Sequence, residues 1–188
     1  MTLWCQPHYD IYMIRHYQSK DTEQCLRIFR EIGWMDGKDS DKDVFEACTE
    51  EVNALVAELD GEVEVLVVTR SGTCKYLDDD IPFSAVTGVA TSRVARQQGL
   101  ASKVTVEAIA ESANNGAAMS MLGMFDQGYY EKFGFGNTVP CRISTFDPVN
   151  LRVPRLTRSP KRLSKDDAKA MHDCRCLRKR YHGGCNLD

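Results

Sequence analysis

The sequence predicts a mixed α/β (α+β) domain of about 140 residues with a short extension behind it, which is the ordinary size of one domain. Three observations lead there. Two apolar stretches, residues 54–59 and 63–69, flank Asp60-Gly61, a turn pair that closes β-hairpins. Residues 100–113 set Leu100, Val104, Ala108 and Ala113 on one helical face, with Glu107 and Glu111 opposite. Between the two, a strand over 83–91 runs into a loop containing Gly99 that opens this helix. Composition agrees: of 188 residues, 43% are hydrophobic and 27% charged, so a core can be buried but a second full domain does not fit.

In chain order, residues 13–17 read as a strand. Asp21 then offers an N-cap with Gln24 three residues on, and a helix from about Thr22 carries Cys25, Leu26, Ile28, Phe29 and Ile32 as its apolar stripe until Gly33 ends it. Val44, Phe45, Ala47 and Cys48 suggest a second short helix before the hairpin. Residues 71–82 read as a turn-rich loop whose acidic run, Asp78 to Asp80, is a solvated face. After the long helix, Asn114-Asn115-Gly116 is a stop, 117–123 a strand, 127–132 a short helix, and a last strand begins at Phe135. Phe133 and Phe135 are expected in the core.

Charge is unevenly placed. Residues 1–150 hold 13 Lys+Arg against 23 Asp+Glu, a balance of −10, whereas residues 151–188 hold 11 against 4, a balance of +7. An acidic body suits cationic small substrates. The longest aliphatic run, residues 65–68, is far short of the roughly 20 apolar residues of a membrane helix, and the first twelve residues lack a secretory pattern. The expectation is a cytoplasmic protein without membrane contact. Eight cysteines, five of them scattered singly, imply no disulfide framework; Cys25 and Cys48 read as buried thiols.

The stretch Val89-Ala90-Thr91-Ser92-Arg93-Val94-Ala95-Arg96-Gln97-Gln98-Gly99-Leu100-Ala101-Ser102 has the form of an anion site. A helix N-terminus exposes backbone N–H groups, Gly99 permits close approach of the main chain, and Arg96 adds charge. Both G-x-G-x-x-G and G-x-x-x-x-G-K-[ST] are absent, so a phosphate-bearing ligand other than a Rossmann dinucleotide or a nucleoside triphosphate is expected. Arg96-Gln97-Gln98-Gly99-Leu100-Ala101 resembles the R/Q-x-x-G-x-G/A pyrophosphate loop of the GNAT N-acetyltransferases, with Ala101 in place of the second glycine. Tyr129-Tyr130-Glu131-Lys132-Phe133-Gly134-Phe135-Gly136 resembles the later Y-x-x-F-G-F segment of that family. Within the superfamily, residues 13–146 resemble the N-terminal domain of the enhanced intracellular survival (Eis-like) family. Residues 1–12 are then an N-terminal extension. Residues 147–188 are a basic, helical C-terminal extension resembling the start of a second domain.

The resemblance implies a GNAT (acyl-CoA N-acyltransferase) fold, a mixed and mostly antiparallel sheet flanked by helices. It implies an acetyl-CoA-dependent N-acetyltransferase, with acetyl-CoA as acyl-donor co-substrate and a primary amine of a small cationic acceptor attacking directly. Val89, Ala90 and Thr91 would bond the pantetheine arm through main-chain groups, and Arg96, Gln97, Gln98, Gly99, Leu100, Ala101 and Ser102 would cradle the pyrophosphate. Phe125 and Asp126 match positions near the reactive end of the cofactor, and Tyr130 matches the tyrosine that protonates the leaving thiolate. That role suits a phenol with a pKa near 10, because charge develops on sulfur as the amine attacks.

Other readings stand beside these. Tyr129 could exchange roles with Tyr130; in the resembled family the terminal carboxylate is a candidate general base, whereas this sequence ends at Asp188, so whether that terminus returns to the site, or a water, an acidic loop residue or no base serves, stays open. Trp34 and Met35 either shape the acceptor pocket or simply pack. His172, Cys174, Cys176, His182 and Cys185 lie close in sequence, but Cys174-x-Cys176 is too tight for a zinc knuckle, and no metal is expected. The basic tail lacks aromatic interleaving, so no nucleic-acid partner is expected; a helix over 165–181 packing on the body or on a partner suits its charge. Self-association stays open. The alternative function is a non-catalytic acyl-CoA-binding module or partner domain.

Overall fold

Asp60 and Gly61 both take positive φ, 53° and 84°, the backbone a two-residue hairpin turn requires, and they join β2 (Asn53–Leu59) to β3 (Glu62–Tyr76). From this hairpin the sheet grows in both directions. The structure, a computed structural model, describes residues 12–123, 128–138, 143–152 and 159–188. β1 (Tyr12–His16) lies antiparallel to β2, and β4 (Asp79–Thr91) antiparallel to β3. β5 (Met119–Leu122) pairs with β4 in parallel, which requires a crossover, and α3 (Leu100–Asn114) supplies it. β6 (Cys185–Leu187) pairs with β3 at Gly72–Cys74. The sheet is therefore mixed and mostly antiparallel, in the order β1-β2-β3-β4-β5 with β6 on β3. That is the predicted fold class.

The alternation along β2 and β3 feeds two layers. Ala54, Val56, Leu66, Val68 and Ala90 pack with Cys25, Leu26 and Ile28 of α1 (Thr22–Glu31) and with Phe45 of α2 (Asp41–Thr49). Their neighbours Leu55, Val65 and Val67 turn to the other face, where α3 buries Leu100, Val104 and Ala108. Each such fully buried aliphatic or Phe side chain contributes about 1.5–3 kcal/mol of transfer free energy.

The chain forms two compact units, residues 1–127 with 180–188, and residues 128–179. Among its described residues the second contains three short 3₁₀ turns, including Glu131–Phe133 and Lys165–Asp167, and then α4 (Ala168–Cys176). The tail helix thus stops before the expected residue 181.

Several expectations are corrected. Residues 71–82 are not a loop: β3 and β4 continue as a second hairpin with its tip at Leu77 and Asp78. They do so because β6 satisfies the β3 edge beyond the end of β2, and Gly72 admits it. A Cβ at Gly72 would collide with the Asn186 carbonyl. The acidic run is also partly paired, since Asp80 accepts from Arg180 and lies 3.8 Å from Lys75. No strand begins at Phe135 among the described residues 135–138 and 143–152. Cys25 is buried as expected, whereas Cys48 is exposed.

The predicted capping box on α1 does not form. Asp21 instead accepts from the Gln18 N–H (2.8 Å) and binds Arg15 with both carboxylate oxygens (2.7 and 2.8 Å), while Gln24 accepts from the Val63 N–H (2.6 Å). Arg15 also pairs with Glu58, so one guanidinium joins β1, β2 and the start of α1. The Arg15 hydrogen bond outweighs burial and holds the Asp21 carboxyl below its usual pKa. A carboxyl lowered in this way stabilises the fold fully above about pH 4 and loses that contribution as pH falls through its folded pKa. Arg15→Met leaves a buried carboxylate without its cation and is expected to cost about 3 kcal/mol at pH 7, read by urea unfolding. The difference should shrink as the pH drops below about 4; an equal loss at all pH values would show that the charge pair is not the cause.

Candidate active site

β4 has β3 along one edge for its whole length, but β5 covers its other edge only from Phe83 to Val86. Beyond that point, residues 88–91 face no strand on that side among the described residues. The hydrogen-bond phase follows from Ser92, whose N–H donates to the Glu64 carbonyl (2.9 Å). Bonded pairs alternate in an antiparallel ladder, so Ala90 directs its N–H and C=O to Leu66. Val89 and Thr91 direct theirs to the open edge. Of the three residues expected to present main chain there, these two do so and Ala90 does not; its methyl group lies in the core.

The loop after β4 is built to turn sharply. Buried Ser92 accepts from the Ala95 N–H (3.3 Å), Gln98 donates to the Val94 carbonyl (2.9 Å), and Gln97 sits in the left-handed region at φ 63°. Gly99, at φ 77°, is the N-cap of α3. A Cβ on it would meet nothing within 4 Å, so the space over the helix start is open. The first intrahelical bond runs from the Lys103 N–H to the Gly99 carbonyl (3.2 Å), which leaves the first-turn amides of Leu100 and Ala101 upstream of any intrahelical acceptor. Arg96 is exposed, and no carboxylate among the described residues pairs with it. The Leu100 and Ala101 amides, the helix dipole and the exposed Arg96 guanidinium are groups able to accept an anion such as a pyrophosphate.

A support for this loop was not evident in the sequence. Glu31, the last residue of α1, accepts from the Arg93 backbone N–H (3.0 Å), and the Arg93 guanidinium donates to the Glu31 carbonyl (3.1 Å). Arg27 joins Glu31 and Glu64 at 3.1 Å each. The Arg93 amide first, and Arg27 after it, lower the Glu31 carboxyl below its usual pKa. Partners 62 residues apart leave no local pattern to read.

Trp34 stands next to the open edge: its indole is 4.0 Å from where a Gly88 Cβ would lie, it is 46% exposed, and it meets Phe29 edge-on. Met35 packs against the core. A cavity of about 450 Å³ lies elsewhere, at the C-terminal end of α3, lined by Asn53, Thr69, Ser84, Ser112 and Gly116. It is at the opposite end of α3 from residues 96–102. Asp188 lines it too and donates its N–H to the Ser71 carbonyl (3.1 Å). Ser71 is about 13 Å along β3 from Val67, at roughly 3.3 Å per residue.

Tyr130 belongs to the second unit. There it meets Tyr129 edge-on at 4.9 Å and Phe135 at 5.9 Å, with Phe133 at 6.4 Å, and all four rings are half-buried. Phe133 and Phe135 therefore pack on the tyrosines and not in the sheet core. Desolvation, with Tyr129 adding to it, raises the Tyr130 pKa above the ordinary phenol value. Phe125 and Asp126 lie outside the described residues. No cluster of three His, Cys, Asp or Glu suited to a metal occurs among the described residues; His172 and Cys176 approach to 3.4 Å as a pair. No helix among them is long and apolar enough to cross a membrane.

Comparison with known proteins places this geometry. No curated protein matches the chain in sequence. In structure it is similar to a transcriptional regulator from Bacillus halodurans C-125, at 20% identity and a TM-score of 0.61, over 72% of this chain and all of that one. It is similar to the aminoglycoside N-acetyltransferase AAC(6')-Iy solved with CoA, at 17% identity and a TM-score of 0.61, over 75% and 98% of the two chains. A third likeness is to a probable N-acyltransferase from Enterococcus faecalis V583, at 15% identity and a TM-score of 0.60, over 66% of this chain but 32% of that one. The family model described as an acetyltransferase (GNAT) domain matches residues 13–138, which takes in the hairpin, the open edge of β4, the loop at Gly99 and Tyr130, and the chain therefore belongs to the GNAT acetyltransferase family and is an acyltransferase.

Proposed function

We propose that the chain is an N-acetyltransferase that takes its acyl group from acetyl-CoA and transfers it to a primary amine of a small cationic acceptor. The open edge of β4 leading into the Gly99 helix start carries this reading, since a pantetheine amide needs strand-like partners and a pyrophosphate needs converging N–H donors. The residues present fit such a ligand. Val89 and Thr91 hold its arm as a neighbouring strand would, and the amides near Gly99, with Arg96, hold its phosphates. The acetyl thioester supplies an electrophilic carbonyl carbon and a thiolate leaving group.

In this reading the acceptor nitrogen bonds to the carbonyl carbon, the carbon–sulfur bond breaks, and Tyr130 passes its phenolic proton to sulfur while the ammonium proton leaves to water. The raised pKa of Tyr130 keeps that proton in place at neutral pH. Trp34, exposed beside Gly88, forms a wall for the acceptor, and the negative balance of residues 1–150 favours a cation. An aminoglycoside acetyltransferase among the structural neighbours supports an amine acceptor. The Eis-like resemblance belongs with this proposal, supported by the E. faecalis neighbour, where the same fold sits inside a longer chain. So does the division into residues 13–146 and an extension over 147–188.

Thr91→Pro removes an N–H that faces the open edge, so the KM for acetyl-CoA should rise about tenfold with the urea midpoint unchanged. Ala90→Pro removes a bond to Leu66 and should cost about 1–3 kcal/mol of stability. If Thr91→Pro binds the donor normally, the edge is not its site. Tyr130→Phe should lower kcat about 100-fold, read by release of the CoA thiol, with donor affinity kept. Unchanged turnover would remove Tyr130 as the acid, and absence of turnover in the parent protein with donor binding intact would favour a binding module. In an acceptor screen, polyamines and aminoglycosides should turn over in preference to neutral amino sugars; the reverse order would exclude the cationic acceptor.

A further inference from the structure

Away from the acyl-transfer site, β6 sets two thiols opposite each other. Cys185 of β6 and Cys74 of β3 are cross-strand partners. The bonds on either side of them define their geometry. The Lys75 N–H donates to the Gly184 carbonyl (2.9 Å) and the Asp188 N–H to the Ser71 carbonyl (3.1 Å), so the pairs 71/188, 73/186 and 75/184 are the hydrogen-bonded ones. The pair 74/185 falls between them as a non-hydrogen-bonded pair. Partners at such positions bring their Cα atoms to about 4.5 Å and their side chains to the same face, within the range a disulfide spans. Cys74 is 6% exposed, and Cys185 is half-buried, with Met121 Sδ 3.6 Å and the Gly183 carbonyl 3.4 Å from its sulfur.

We propose that Cys74 and Cys185 form a redox-controlled disulfide that fastens β6 to β3. With a low-molecular-weight disulfide such as oxidised glutathione as oxidant, the more accessible Cys185 attacks one of its sulfurs as thiolate and expels one glutathione thiol. Cys74 then attacks the Cys185 sulfur of the mixed disulfide and expels the second. Two electrons pass from the protein to the reagent, and the two thiol protons end on the two glutathione molecules. Burial first, then contact with Cys74, pushes the Cys185 thiol up, with Arg180 opposing, so the reaction is slow near pH 7 and speeds up as the pH rises.

In the reduced chain β6 is held by polar contacts. Arg180 donates to the Thr73 carbonyl (3.0 Å) and hydroxyl (3.1 Å) and pairs with Asp80, the Leu77 N–H donates to His182 Nδ1 (3.3 Å), and the Gly183 N–H donates to the Lys75 carbonyl (2.7 Å). A covalent bond there closes the chain from residue 74 to residue 185 into one loop, which contains the open edge of β4, the Gly99 loop and Tyr130. Closing a loop of that length removes much freedom from the unfolded chain.

The test uses the full chain, incubated with oxidised glutathione at pH 8.5, alkylated, digested and analysed by mass spectrometry. The expected result is a linked peptide pair containing Cys74 and Cys185, with a thermal midpoint about 5 °C or more above the reduced form that is reversed by dithiothreitol. Oxidised and reduced forms of each variant are compared with one another, so a lower starting stability does not confuse the reading. Neither Cys185→Ser nor Cys74→Ala should gain the link or the shift. The proposal is overturned if Cys185 stays glutathionylated while Cys74 is alkylated, or if Cys185 pairs with Cys174 or Cys176.

Discussion

Main-chain N–H and C=O groups must find partners, and among the described residues β4 is given strand partners on one side only for its last residues. β3 serves one edge of β4 from end to end, while β5 serves the other edge only as far as Val86. The site grows from that shortfall. Val89 and Thr91 turn their donors and acceptors to the open edge, and the chain then bends through Gln97 and Gly99 into a helix whose Leu100 and Ala101 amides lie upstream of any intrahelical acceptor. A strand edge left without a strand neighbour among the described residues and a helix start are thereby adjacent.

Holding such a bend in place takes contacts from outside it. Glu31 grips Arg93 through both backbone and side chain, and Arg27 ties Glu31 to Glu64, so the end of α1 clamps the loop to β3. Arg15 does the same for the start of α1. At the other end of the long hairpin, Arg180 from the basic segment meets Asp80 of the acidic run, and β6 covers the strand edge that β2 leaves open. The acidic run and the basic segment thus meet at Asp80 and Arg180.

Local pattern was enough for most of this fold. The hairpin at Asp60-Gly61, the helix at Leu100, the strand ending at Thr91 and the glycine at the N-cap of α3 each rest on residues close in sequence, whose turn preference or periodicity acts wherever the chain goes. The loop into α3 was legible for the same reason, since a glycine, an arginine and an amphipathic helix mark it within a few residues. Less legible were the second hairpin at 71–82, which forms as paired strand where β6 lies beside it, and the capping of α1, where Arg15 and Val63 drew away the side chains that local pattern assigned to the cap.

By itself, then, the sequence determined the first hairpin, the strand, glycine loop and helix from β4 to α3, and the family. Tertiary structure alone decided which backbone groups at that site are spent. Whether Ala90 or its neighbours face the opening depends on the phase of a hydrogen-bond ladder set by Ser92 and Glu64, and on β5 ending after four residues. Pairing partners distant in the chain fix that phase and that length, and an amino-acid type carries no record of which way its own N–H points.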